Sequence, residues 1–246
     1  MDVAVSLDAR SQSSVGLAAI DAAMSLAPAA PQQVYAALYR YGTEPFWSDC
    51  PVLRELKASP KALSASVARL AARCGYSAAS AYHEWRIYGA PSPEAWKLYI
   101  APRRANYLKT IETILPILSE KGVAFKVSPT PRGISRADPI VVYIPSKGLC
   151  EETAKRCAAP LRPLSPRQTA FAAVHPDAPG LTYARDRFRP APQLAGLQGG
   201  SWRANLCRWI THIIVTQRAS DPTGVMNALV AEGITDAHWY GKQWDD

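Results

Sequence analysis

No apolar run in this 246-residue chain approaches the ~20 residues that a membrane span requires, so no spanning helix and no membrane partner are expected. Acidic residues at Asp2 and Asp8 argue against a secretion signal. There is no C-x-x-C pair, and the five cysteines (Cys50, Cys74, Cys150, Cys157 and Cys207) are odd in number and scattered. A structural zinc or a disulfide framework is therefore not expected, and a reduced, cytoplasmic setting is. The chain also lacks a Gly-rich ATP loop, an internal repeat and a low-complexity tail. Charge is the one excess: 28 basic against 20 acidic residues give a net +8 and a pI near 9.3, which suits an acidic partner such as a phosphate or an acidic peptide. No Lys/Arg run gathers that charge, so nucleic acid is not the expected partner.

What is present reads as α+β: a small mixed β-sheet with covering helices, an N-terminal helical segment and C-terminal helices. A single domain over 1–246 is expected, with a helical part at 1–90, a core at 91–217 and a C-terminal helix and tail at 218–246. Helices are predicted over Gly16 to Leu26, Gln32 to Tyr41 and Pro60 to Cys74, the last with Pro60 in its first turn and Gly75 closing it. Glu44 to Pro51 reads as an aromatic turn, and Ala78 to Pro93 as irregular, its aromatics forming a lid over the sheet. Further helices are expected over Leu149 to Ala159, Ser201 to Gln217 and Asp221 to Glu232, with a linker at Pro160 to Pro166. Strands are expected at Thr169 to Val174 and Leu181 to Ala184, and a mobile loop from Arg185 to Gly200.

The stretch from Trp96 to Pro145 organises the rest. Trp96-Lys97-Leu98-Tyr99-Ile100 alternates apolar and polar residues as a half-buried strand does. Leu108, Ile111, Leu115 and Leu118 then mark a helix from Asn106 to Lys121, bent at Pro116 and ended by Gly122. Val123 to Ser128 and Ile140 to Ile144 complete a strand–helix–strand–strand block. If the helix covers the apolar side, Lys97, Tyr99 and Lys126 fall on the opposite face. Were the first two strands neighbours, the two lysines would disfavour each other's protonation, and one would be a neutral base near pH 7. The plainer alternative, favoured by spacing alone, is that both are solvated strand lysines.

Ala95 to Ala101, Gly122 to Lys126, Arg136 and Val142-Tyr143-Ile144-Pro145, in this order, resemble the lyase domain of class III lanthionine synthetases and the phosphothreonine lyase family. Ser135 to Tyr143 is most similar to the HopA-type branch, found among plant-pathogen effectors and as the lyase subunit of class V lanthipeptide pathways. Pro179 to Ala184 and Gly200 to Arg203 look like degenerate forms of that branch's later motifs, so the resemblance spans roughly residues 90 to 215. It implies β-elimination of phosphate from phosphoserine or phosphothreonine without metal or organic cofactor. It assigns the base to Lys126, carbonyl or phosphate contact to Lys97, and phosphate binding to Arg136, with Arg203 as a second phosphate ligand. Tyr143 falls at the rim.

Many relatives carry Lys-x-His where this chain has Lys97-x-Tyr99, so the proton donor to the leaving phosphate is expected to be the Tyr99 phenol. His83 is an alternative donor; His175, His212 and His238 have no context that favours catalysis. The implied partners are a phosphorylated precursor peptide and a separate Ser/Thr kinase. An effector lyase acting on host phosphoproteins, a non-catalytic scaffold for the peptide or kinase, and a basic nucleic-acid-binding protein are the alternatives.

Overall fold

The computed structural model describes residues 14–26, 30–43, 60–82, 84–92, 95–185, 201–217, 219–234 and 239. The readings of Glu44 to Pro51, of residues 186–200, and of His83 and His238 lie outside those residues. The described chain forms α1 (Ser14–Met24), α2 (Pro31–Arg40), α3 (Pro60–Arg73), β1 (Ala78–Tyr82), β2 (Trp85–Tyr88), β3 (Trp96–Ile100), α4 (Tyr107–Glu120), β4 (Ala124–Val127) and β5 (Ile140–Ile144). It continues with α5 (Lys147–Leu161), β6 (Ala173–His175), β7 (Ala178–Arg185), α6 (Trp202–Thr216) and α7 (Pro222–Ala231). The α+β class holds.

Two compact units interleave along the chain. One takes the described residues up to Tyr41, 170–174 and those from Ala184 onward; the other takes Gly42–Thr169 and His175–Tyr183. The first is mainly helical, with α1 on α2 and α7, and α6 on α2 and α7. The second carries most of a seven-stranded sheet in the order β1-β2-β4-β5-β3-β7-β6, with α3 on α4, α4 on α5, and α5 on β3 and β5.

The sheet is larger than expected, and the pairings β1–β2, β2–β4, β4–β5 and β3–β5 are all antiparallel rather than mixed. The extra width comes from Ala78 to Tyr88. It is not an irregular lid but a hairpin that adds β1 and β2 to the sheet edge. Pro160 lies inside α5, and a 3₁₀ turn at Arg162–Leu164 replaces most of the expected linker.

Local chemistry accounts for the element ends. The Ser146, Ser201 and Asp221 side chains accept from the backbone N–H three residues on, capping α5, α6 and α7. Gly122, at φ +62, ends α4, and the Val123 N–H donates to the Leu118 carbonyl at 3.2 Å. Pro116 does sit inside α4. It falls on the exposed side, away from buried Ile111, Ile114, Leu115 and Leu118, so water can meet the carbonyl that a proline leaves without its N–H donor.

Candidate functional site

The second unit gathers Lys97, Tyr99, Lys126, Tyr143 and Arg136. The condition on which the two lysines would be direct cross-strand neighbours, adjacency of β3 and β4, is not met, because β5 lies between them and pairs with both. Lys97 stands opposite Tyr143 and Tyr99 opposite Val141 on one side of β5; Ala124 and Lys126 stand opposite the same two residues on the other. Directly paired residues project from the same side of a sheet. Lys97, Tyr99, Lys126, Val141 and Tyr143 therefore do share one face, while Phe125, Val127, Leu98, Ile100 and Val142 project from the other.

The interposed strand changes how the lysines meet. Lys97 Nζ lies 5.3 Å from the centroid of the Tyr143 ring and Lys126 Nζ 5.8 Å, so one phenol ring stands by both ammonium groups. β3 was expected to be half-buried, yet all five of its residues are buried, Lys97 at 4 % exposure and Tyr99 at 2 %. Lying inside the sheet between β5 and β7, with both faces covered, β3 draws its polar side chains inward. Lys97 is thus not the solvated strand lysine that spacing alone favoured. Lys126 is partly exposed.

Trp85 completes the face. Ile87 stands opposite Lys126, and Trp85, two residues earlier on β2, projects from the same side. Its ring centroid lies 4.4 Å from Lys126 Nζ and 4.9 Å from the Arg136 guanidinium carbon. Both distances are within the range in which a cation is attracted by an aromatic face. Lys97, Lys126 and Arg136 are thereby linked through two shared rings.

Arg136 reaches this place on a fastened loop. The Ile134 N–H donates to the Thr130 carbonyl at 2.9 Å, the Gly133 N–H to Thr130 Oγ1 at 2.9 Å, and the Ser128 N–H to the Pro139 carbonyl at 3.1 Å. Ser128 Oγ donates to the Glu84 carbonyl at 3.1 Å, tying the loop to the residue before Trp85. Behind it, Thr169 Oγ1 donates to the Ala137 carbonyl at 2.9 Å, and Arg167 donates to the carbonyls of Arg136 and Gly42. Arg136 Nε donates to Asp138 Oδ1 at 3.0 Å, an ion pair whose side chains are 26 % and 9 % exposed. That bond orients the guanidinium fork and sets a carboxylate beside it.

Arg203, the second expected phosphate ligand, lies in the other unit, on α6. It is 1 % exposed; its Nε donates to the Ala170 carbonyl at 3.1 Å, its Nη2 to the Tyr39 carbonyl at 2.6 Å, and its guanidinium lies over the Tyr39 ring. His175 is buried, with Nδ1 accepting from the Asp177 N–H at 3.2 Å, and His212 is exposed. Burial pushes the Cys150 and Cys157 thiols up to about 12, so both pack within α5 as small apolar groups. Among the described residues, no group of three His, Cys, Asp or Glu side chains is placed to hold a metal ion, and no helix is long and apolar enough to cross a membrane.

Sequence reasoning missed Trp85 and Asp138 as parts of this cluster. Trp85 stood in a segment read as irregular, and only the β2–β4 register brings its ring to Lys126. Asp138 had a local signal, since it is two residues from an arginine on the same turn.

The sheet and its helices form an α+β fold similar to that of bacterial effector proteins. One is an effector protein from Pseudomonas syringae pv. tomato strain DC3000, 10 % identical, with a TM-score of 0.60 over 92 % of this chain and 97 % of that one. Another, from Pseudomonas syringae pv. syringae strain 61, is 12 % identical with a TM-score of 0.52 over the same shares. No family model and no curated protein matches the chain.

Proposed function

We propose that this protein is a carbon–oxygen lyase that eliminates phosphate from phosphoserine or phosphothreonine in a peptide segment, leaving a dehydroamino acid. The observation that carries this reading is the convergence of Lys97, Lys126 and Arg136 on the Tyr143 and Trp85 rings of one sheet face. In the proposed reaction Lys126, an ammonium between turnovers, first gives a proton to water, and its neutral Nζ then takes the Cα proton. The electron pair left on Cα forms the Cα=Cβ bond as the Cβ–O bond breaks, and phosphate departs with the bonding pair. Lys97 donates to the substrate carbonyl, where negative charge builds as the proton leaves. Arg136 grips the phosphate through its fork, a geometry that an ammonium cannot copy. Tyr99 is the proton donor to the leaving group, and no metal or organic cofactor takes part.

The phosphate is supplied by a separate Ser/Thr kinase. Two settings provide such a substrate: a precursor peptide of a lanthipeptide-like pathway, or a host phosphoprotein met by an effector. The short motifs support the first, and the likeness in fold to two Pseudomonas effectors supports the second. Incubation with synthetic phosphothreonine and phosphoserine peptides, read by mass, tests the chemistry. Loss of one phosphoric acid supports a lyase, whereas loss of phosphate with water gained in its place marks a phosphatase.

A second reading, a non-catalytic scaffold that holds the phosphopeptide or its kinase, draws on two observations. Tyr99 stands where the family that the sequence resembles often carries histidine, and Asp138 already occupies Arg136 Nε. Tight phosphopeptide binding with no change in mass would select it.

A further inference from the structure

We propose that Trp85 is a positioning residue that holds the base Lys126 and the phosphate-gripping Arg136 at a fixed separation. The inference rests on the lyase reading for the roles of those two cations and on the geometry for their placement. Two like charges near one another repel, and a phosphate dianion that would bridge them is present only while substrate is bound. Between turnovers Asp138 orients Arg136 from its Nε side, and a group that touches both cations would fix the distance between them. The Trp85 ring is placed to do so, with its centroid under five ångströms from each cation (4.4 Å to Lys126 Nζ and 4.9 Å to the Arg136 guanidinium carbon). Indole is the best aromatic partner for a cation, because its ring face carries the most negative potential.

The backbone that carries the ring is fixed from two directions. β2 pairs with β4 through Arg86–Val127, Ile87–Lys126 and Tyr88–Phe125, which sets Trp85 on the Lys126 side of the sheet. The Arg136 loop is tied to the same place: Ser128 Oγ donates to the Glu84 carbonyl, and Arg132 Nε lies 3.6 Å from Glu84 Oε1. Arg86 Nη1 donates to the carbonyl of Trp85 itself at 3.0 Å. The hairpin thus ties the strand bearing the base to the loop bearing the phosphate ligand, and Trp85 is the side chain at that junction.

The test compares Trp85→Phe, which keeps an aromatic face, with Trp85→Leu, which keeps apolar bulk without one. Elimination from a phosphothreonine peptide is measured as kcat and KM, and each variant's unfolding temperature is recorded. The expected result is that Trp85→Leu raises KM and lowers kcat, with kcat/KM down by about tenfold, while Trp85→Phe recovers most of the loss at a similar unfolding temperature. Equal rates in the two variants would overturn the assignment, because space-filling alone would then explain the residue.

A second measurement stands apart from activity. In the wild type, the Lys126 Cε–H and Arg136 Cδ–H proton resonances should be shifted upfield by the ring current of Trp85, retained in Trp85→Phe, and in Trp85→Leu lost at Arg136 and reduced at Lys126, which Tyr143 also faces. A wild type that shows these shifts but eliminates no phosphate would sink the lyase reading and leave the positioning role standing. Resonances without the upfield shift would sink the positioning role whatever the activity.

Discussion

Both units set arginine against tyrosine or tryptophan, and they do so to different ends. In the helical unit, Tyr35 and Tyr39 stack at 5.6 Å, with Arg208 over the first and Arg203 over the second. There the Arg203 guanidinium is buried and gives two donors to backbone carbonyls, while Arg208 Nη1 donates to Asn205 Oδ1 at 2.7 Å. In the sheet unit, Arg136 stays partly exposed and its described ion pair is to a side chain, Asp138. A cation anchored on main-chain carbonyls is held by groups that cannot move aside, so it joins secondary-structure elements. One paired with a carboxylate on a loop can exchange that partner for another anion. The difference teaches that burial and partner type, more than the cation–aromatic contact, divide architectural arginines from those suited to bind a ligand.

The comparison can be broken most sharply at Lys126. Lys126→Ala should lower elimination by about 10²–10⁴-fold with an unchanged circular dichroism spectrum, since a positioned base contributes on that scale. Activity retained in this variant would remove the base from the sheet face. Next, Arg203→Ala should cost about 3 kcal/mol in denaturant unfolding, because buried carbonyls lose their donors and a cavity opens. Stability equal to wild type would erase the architectural half of the contrast.

Arg136→Lys should lower kcat/KM by roughly 10- to 100-fold while stability stays near wild type, because one ammonium replaces a bidentate fork. An unchanged rate would place the phosphate elsewhere. Tyr99→Phe should slow elimination by about tenfold, and Tyr99→His should restore or raise the rate, if this phenol serves as the acid. The smallest effect is expected on the surface. The hydrogen bonds from Arg156 hold the Glu120 carboxyl below the usual carboxylate range. A depressed carboxylate adds stability above its unfolded pKa and loses it as pH falls through the folded one. On so exposed a pair, Glu120→Gln should leave the unfolding midpoint almost unmoved at pH 7 and less affected still in acid.

How much of this was legible depended on whether a signal was local. Gly122 and the caps Ser201 and Asp221 announce helix ends in their own residue types, and α4 survives Pro116 because its apolar positions stay in phase. Lys97, Tyr99 and Lys126 reached one face because a strand alternates with period two. Strand order was not legible. Nothing in Ile140–Ile144 says that it will insert between β3 and β4, so whether the lysines are cross-strand neighbours stayed open until the register put Tyr143 and Val141 between them. The Ala78–Tyr82 strand was hidden for another reason: Ala-Ala-Ser-Ala-Tyr has no hydrophobic alternation, and all five residues remain exposed. Its strand conformation comes from hydrogen bonds to β2, a tertiary cause.

Gly133 has a consequence for how this protein can vary. A Cβ added there would stand 1.8 Å from Ser128 Oγ and 2.7 Å from the Ser128 carbonyl oxygen, so the turn carrying Arg136 is pressed flat against the end of β4. Descendants of this sequence cannot thicken that turn without moving Ser128. Changes to the surroundings of Arg136 are left to the residues beside the turn, with Asp138 the most direct dial.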